Sequence, residues 1–194
     1  MPKHILIIQG HPDGAAPHLC HALSEAYADG ARSAGHEVES IDVGRLDFPL
    51  LRSKDEWDRG TLPKSLAAAQ LAIQDADHLV FFFPLWLGGM PALLKGFLEQ
   101  VMRHGIGLPT EGPALSGRPL RGRSARIVVT MGMPAFVYRW YFRAHSIKAL
   151  KRSILGLLGI APVRDTLIGS VEALDGKRLT EWMRRLHGLG RRAA

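Results

Sequence analysis

Two hydrophobic patterns alternate along this chain. The first is a short run that is apolar on both faces, at residues 5–8, 79–83 and 127–129. Such runs suit strands of a parallel sheet covered by helices on both sides. The second recurs every three or four residues, as helices do. Leu19, Ala22, Leu23, Ala26, Tyr27 and Gly30 form one such set, ending near Gly35. Leu94, Phe97, Leu98 and Val101 form another, opened by Pro91, with Lys95, Glu99 and Arg103 on the opposite, solvent side. Ile147, Leu150, Ile154 and Leu158 form a third, closed by Gly159, and Leu179, Trp182, Met183 and Leu186 a fourth. A short Ala-rich helix is expected over 63–74.

Residues 36–43 read as a more polar strand nearer an edge, 125–130 as the fourth strand and 163–171 as the fifth. Five strands alternating with helices predict an α/β fold: a doubly wound parallel sheet in the order 2-1-3-4-5, as one domain over 1–194. Residues 45–59 read as an irregular, mostly acidic connection with a functional or subunit-contacting role. Residues 105–122 are rich in Gly and Pro and read as loop.

In that topology ligands sit beyond the carboxyl ends of the strands, where the loops after strands one, three and four converge. The third strand stops at Pro84, which cannot donate to a sheet ladder, and Leu85-Trp86-Leu87-Gly88-Gly89 follow as an unusually apolar loop. A Trp among leucines, with two glycines letting backbone approach, suits a flat aromatic ligand; packing against a neighbouring loop or second subunit is the alternative. The first loop, His11-Pro12-Asp13-Gly14-Ala15-Ala16-Pro17, enters a helix N-terminus, a place that favours phosphate. It contains neither the dinucleotide glycine fingerprint nor a Walker phosphate loop.

The net charge of +7 is concentrated at Arg118, Arg121, Arg123 and Arg126 and in a final segment with Lys177, Arg178, Arg184, Arg185, Arg191 and Arg192. That excess suits an anionic membrane, a phosphorylated small molecule or nucleic acid. No nucleic-acid module is recognisable and aromatics do not interleave with the cations, so nucleic acid is not expected. Cys20 is the only cysteine, which precludes an internal disulfide and is compatible with the cytoplasm. The N-terminal apolar run is too short for a signal peptide or membrane span.

His11, His18, Cys20 and His21 invite a metal reading, but two residues of helical rotation place His18 and Cys20 on nearly opposite faces, so no metal site is expected. His11-Pro12-Asp13 is similar to the His-Pro-Asp-Asp start of zinc-dependent sugar deacetylases, a remote alternative, with Gly14 where the second acid would stand. Tyr138 and His145 are the best acid–base candidates near the rim; the alternative is a packing aromatic and a surface imidazole.

Pro84-Leu85-Trp86 followed by Gly89-Met90-Pro91-Ala92-Leu93-Leu94-Lys95-Gly96-Phe97 resembles a signature of the NAD(P)H quinone reductase family, which includes mammalian enzymes and bacterial proteins accompanying potassium-efflux systems. The resemblance implies a flavodoxin-like fold, bound FMN or FAD (the short C-terminal region favours FMN), and NAD(P)H as electron donor. A quinone-like acceptor would be reduced by ping-pong two-electron transfer. Pro84, Leu85, Trp86 and Leu87 would line the isoalloxazine ring. Thr130-Met131-Gly132-Met133 matches a Thr-Thr-Gly-Gly flavin loop at Thr130 and Gly132. His11 matches the histidine after the first strand, and Tyr138 stands at the spacing of the family's active-site tyrosine. His145 lies within one position of its proton-relay histidine. The family's Ser-Phe-Asn at the first helix is His18-Leu19-Cys20 here, which removes two phosphate donors and leaves backbone N–H groups and His18. The resemblance also implies a homodimer with flavin sites at the subunit interface. For the nicotinamide nucleotide's phosphates, the Lys148/Arg152 face and the Arg118–Arg126 loop are both candidates. A regulatory, flavin-binding subunit of a membrane transporter, docked through its basic surface, is the alternative from another functional class.

Overall fold

The computed structural model describes residues 1–103 and 118–194. Five parallel strands, β1 His4–Gln9, β2 Glu37–Asp42, β3 His78–Pro84, β4 Ser124–Thr130 and β5 Val163–Ile168, form one sheet in the order β2-β1-β3-β4-β5. This is the expected flavodoxin-like topology. The helices are α1 Leu19–Ser33, α2 Lys54–Arg59, α3 Ala67–Asp75, α4 Ala92–Arg103, α5 Ala135–Trp140, α6 His145–Ala149 and α7 Gly176–Gly190.

The unalternating runs do what their pattern requires. Leu79, Phe81 and Phe83 of β3 face a core built with α3, α4 and α6, while Val80 and Phe82 face a second core with α1 and α7. All five side chains are fully buried. The crossing of α1 and α7 is closer than ordinary side chains permit. A Cβ at Gly30 would stand 2.0 Å from the His187 carbonyl oxygen, and one at Gly190 would stand 2.0 Å from that of Tyr27. The two backbones therefore touch through reciprocal glycines.

Several boundaries differ from expectation. The 45–59 connection is not wholly irregular: it opens with a 3₁₀ turn at Val43–Arg45 and contains α2, capped by the Ser53 hydroxyl on the Glu56 N–H. That helix buries no residue and so leaves no apolar periodicity to read. Arg103, expected on the solvent side of α4, is buried. Its guanidinium donates to the carbonyls of Glu56, Gly60 and Thr61 and to Gln100 Oε1, so among the described residues the C-terminal end of α2 receives it without a carboxylate. β5 ends at Ile168, three residues early, because Ser170 and Val171 turn to donate to the carbonyls of Met133 and Met131. The third periodic set is α6 continuing as a π-helical turn at Leu150–Leu155, and α7 is longer than its apolar stripe at both ends. The loop expected over 105–122 lies mostly outside the described residues.

Candidate functional site

The carboxyl rim is closed by a few backbone bonds. Beyond Pro84 the Leu85 N–H donates to the Thr130 carbonyl at 2.7 Å, which ties the third loop to the fourth. Trp86 and Gly89 then exchange N–H···O bonds of 2.9 Å, forming a two-residue turn with Leu87 at φ 45° and Gly88 at φ 79°. A hairpin turn with both central residues left-handed suits Gly at the second position. At the first it strains a leucine by about 1 kcal/mol. That leucine is fully exposed, and Trp86 is 51% exposed beside it. An apolar, strained tip facing outward does nothing for the fold and points to a ligand or partner.

The first loop meets this turn through aromatic rings. His11 stands edge-on to Trp86 at 6.0 Å, and His18 stacks on His11 at 3.7 Å. Asp13 organises the loop: one carboxylate oxygen accepts from the Ala15 N–H at 2.9 Å, and the other lies 2.8 Å from His18 Nε2. That hydrogen bond from His18, aided by the Ala15 N–H, holds the Asp13 carboxyl below the usual range. Burial and the adjacent His18 push His11 down. His21 Nδ1 accepts from the His18 N–H at 3.3 Å, and its Nε2 lies 3.6 Å from Asp42, which also pairs with Arg45.

Of the His18-Leu19-Cys20 segment, only His18 offers a polar side chain to the loop. Leu19 packs toward the α1–α7 core, and the buried Cys20 thiol lies 3.2 Å from Thr130 Oγ1. Burial pushes that thiol up to about 11, so it stays protonated. Thr130 and Met131 are buried, whereas Gly132 is exposed and Met133 half-buried.

Tyr138 is only 1% exposed, and its hydroxyl has no hydrogen-bond partner among the described residues. It lies beside Ser146 and Ile147 at the start of α6, and burial raises its pKa. Ser146 in turn faces Gly89, with its Oγ 3.6 Å from where a Cβ would stand. The tyrosine is therefore beneath the Trp86 turn rather than on the open rim. His145 is exposed and forms no hydrogen bond among the described residues. Two left-handed residues, Arg143 at φ 52° and Ala144 at φ 48°, re-aim the chain just before it.

The structure thus gathers His11, His18, Leu85, Trp86, Leu87, Thr130, Gly132 and Met133 along one rim, with Tyr138 below it. Sequence reasoning singled out His21 only as a metal candidate and Asp13 only for its likeness to a deacetylase start, and it passed over Asp42 and Ser146. His21 and Asp42 approach only once β2 lies beside the first loop, whereas Asp13 bonds His18 and the Ala15 N–H next to it in sequence; Ser146 carried no signal apart from its position before a helix. Arg121, Arg123 and Arg126 stand at the start of β4, the opposite edge of the sheet, and cannot meet a nucleotide bound at the rim. Among the described residues no group of three or more His, Cys, Asp or Glu is placed to hold a metal ion. An apolar cavity of about 300 Å³ between Trp57, Leu98 and Leu158 shares no residue with the rim.

The rim's donor set fits a flavin. The N–H groups of Leu87, Gly132 and Met133 donate to nothing among the described residues, nor do those of Leu19 and Cys20 at the start of α1. The first three can reach the polar edge of a ring and the last two a phosphate. Opposing them at the phosphate end is the Asp13 carboxylate.

The chain is 26% identical over 176 residues to an NAD(P)H oxidoreductase of Haemophilus influenzae, covering 89% of this chain and 86% of that one. Its fold is that of the NAD(P)H:quinone oxidoreductase of Methanothermobacter marburgensis, with a TM-score of 0.80 at 24% identity over 98% and 96% of the two chains. An FMN-dependent NADH-azoreductase of Bacillus anthracis, solved in complex with FMN, superposes with a TM-score of 0.71 at 17% identity over 99% of each chain. A family model of flavodoxin-like fold, Flavodoxin_2, matches residues 3–187, and the chain belongs to that family.

Proposed function

We propose that this oxidoreductase is a flavin-dependent NAD(P)H dehydrogenase that reduces quinones or similar small acceptors, with FMN the favoured flavin. The observation that carries the reading is the convergence, on one rim, of the exposed Trp86–Leu87 turn with the free N–H groups of Leu87, Gly132 and Met133. When bound, the flavin would supply two-electron transfer between NAD(P)H and acceptor in ping-pong fashion.

This chain's own residues would do the rest. Trp86 provides a flat wall, and Leu85 and Pro84 hold its turn against β4. The free N–H groups stabilise negative charge on the ring's polar edge. His11 and His18, with the start of α1, would hold the phosphate. Tyr138 keeps its proton because burial raises its pKa, so it can donate a hydrogen bond without ionising. His145 sits where an exposed imidazole can exchange protons with solvent. A second copy covering Trp86, Leu87, Phe136 and Trp140, all exposed, would close the site as a homodimer in the cytoplasm.

The test is the visible spectrum of freshly purified protein, followed by NADPH and then a quinone. A yellow protein that bleaches and recovers supports the reading. A colourless protein that neither binds FMN or FAD nor oxidises NADPH overturns it.

A further inference from the structure

The turn between α5 and α6 bends more sharply than ordinary residues favour. Arg143 and Ala144 are consecutive left-handed residues, at φ 52° and 48°, and neither is glycine. Backbone strain of this kind persists where the surrounding structure makes use of the conformation. Here it folds the chain back on α5. The Ala144 N–H donates to the Tyr138 carbonyl at 3.1 Å, and Ser146 returns beside the Tyr138 side chain.

Two contacts meet at Ser146. On its inner side the Tyr138 hydroxyl, out of water, approaches the Ser146 side chain and the N–H groups of Ser146 and Ile147 without a hydrogen bond of ordinary geometry. On its outer side Ser146 Oγ is 3.6 Å from where a Cβ at Gly89 would stand, against the residue that closes the Trp86 turn. Ser146 is half-buried, whereas Tyr138 is 1% exposed. The phenol is too deep to touch a molecule lying on the rim, and the serine stands between the two. A serine hydroxyl both accepts and donates, so it can take a hydrogen bond from the phenol and pass one on. Such bonds are commonly long or poorly aligned before substrate arrives and tighten in the complex.

We propose that Ser146 is the residue that meets the acceptor's oxygen, with Tyr138 as a positioning residue behind it. This rests on the reading of the rim as the flavin site of a quinone-type reductase. The Tyr138 O–H donates to Ser146 Oγ, and the Ser146 O–H donates to the carbonyl oxygen of the acceptor as negative charge gathers there. No bond to hydrogen breaks in this arrangement. Both hydroxyls stabilise charge by hydrogen bonding, and the protons of the product come from solvent. Two hydroxyls in series polarise each other, which makes the outer donor stronger than a lone serine. An acceptor with a carbonyl oxygen gains from that donor, and one without it does not.

The experiment compares Ser146→Ala and Ser146→Thr with the parent, each loaded with FMN. The acceptors are a quinone and ferricyanide, which takes electrons without a carbonyl oxygen. The ratio of quinone to ferricyanide turnover should fall about tenfold in Ser146→Ala and return toward the parent in Ser146→Thr. FMN affinity, read by fluorescence, should stay within about twofold in both. Carbon NMR of the Cζ atoms of the three tyrosines should show the Tyr138 signal moved in Ser146→Ala and restored in Ser146→Thr. Ser146→Ala/Tyr138→Phe should be no slower with quinone than Ser146→Ala, because the hydroxyls act in one chain; independent effects would multiply to about a hundredfold. An unchanged quinone-to-ferricyanide ratio in Ser146→Ala, or a double variant slowed about a hundredfold, would overturn the assignment while leaving the flavin reading intact. A parent protein that binds no FMN or FAD would overturn the flavin reading and this assignment with it.

Discussion

The two edges of this sheet solve the problem of polar groups in opposite ways. At the carboxyl rim, three histidines and Asp13 compensate one another at hydrogen-bond distance, and the unsatisfied groups are backbone N–H donors beside an exposed apolar turn. At the amino edge, the neutral His78 and Arg126 are buried, and Arg126 is received by an Ala194 main-chain oxygen and the Thr166 hydroxyl. The rim is arranged for chemistry that changes with its contents. The amino edge is tied to folding itself, since its polar groups are out of water in the folded state alone.

That contrast can be broken first through pH. His78 titrates near its ordinary value when unfolded and at about 3 when folded. The unfolded chain therefore takes up a proton that the folded chain refuses. Stability should fall as pH drops from about 6.5 toward 3, at up to roughly 1.4 kcal/mol per pH unit. Urea melts across that range should show this slope, and His78→Asn should flatten it. An unchanged slope in the variant would move the acid sensitivity away from the amino edge.

At the rim the largest effect belongs to the ring wall. Trp86→Ala should weaken FMN binding by about 100-fold, the loss of one stacked aromatic, while its half-exposed position leaves the melting temperature nearly unchanged. Fluorescence titration of FMN checks it. Tyr138→Phe should keep flavin bound but cut quinone turnover by about tenfold. Because the hydroxyl only approaches Ser146 and Ile147 without a hydrogen bond of ordinary geometry, the variant should lose little stability. A loss of stability together with unchanged turnover would make Tyr138 a packing residue. The smallest effect is at the phosphate end. Asp13→Asn removes a carboxylate from the anion's path and should tighten FMN about two- to threefold. Weaker binding would show that Asp13 matters more by shaping the loop.

How legible these features were depended on how local their causes are. The runs at 79–83 and 127–129 need both faces covered whatever surrounds them, and the parallel sheet between two helical layers followed from that requirement. The Trp86 turn was visible because its apolar residues contradict an exposed loop. Arg103 was not, because its guanidinium is satisfied by carbonyls more than forty residues earlier, which no periodicity encodes. The burial of Tyr138 and the His21–Asp42 approach are likewise products of the assembled rim.

The glycine crossing of α1 and α7 has a practical consequence for anyone altering the protein. Since Gly30 and Gly190 bring backbone against backbone, the last helix is held on its inner side. The outward residues Lys177, Arg178 and Arg184 are exposed and take no part in that contact. They form an adjustable skin: solubility and the attraction to polyanions can be retuned there, residue by residue, without loosening the joint beneath.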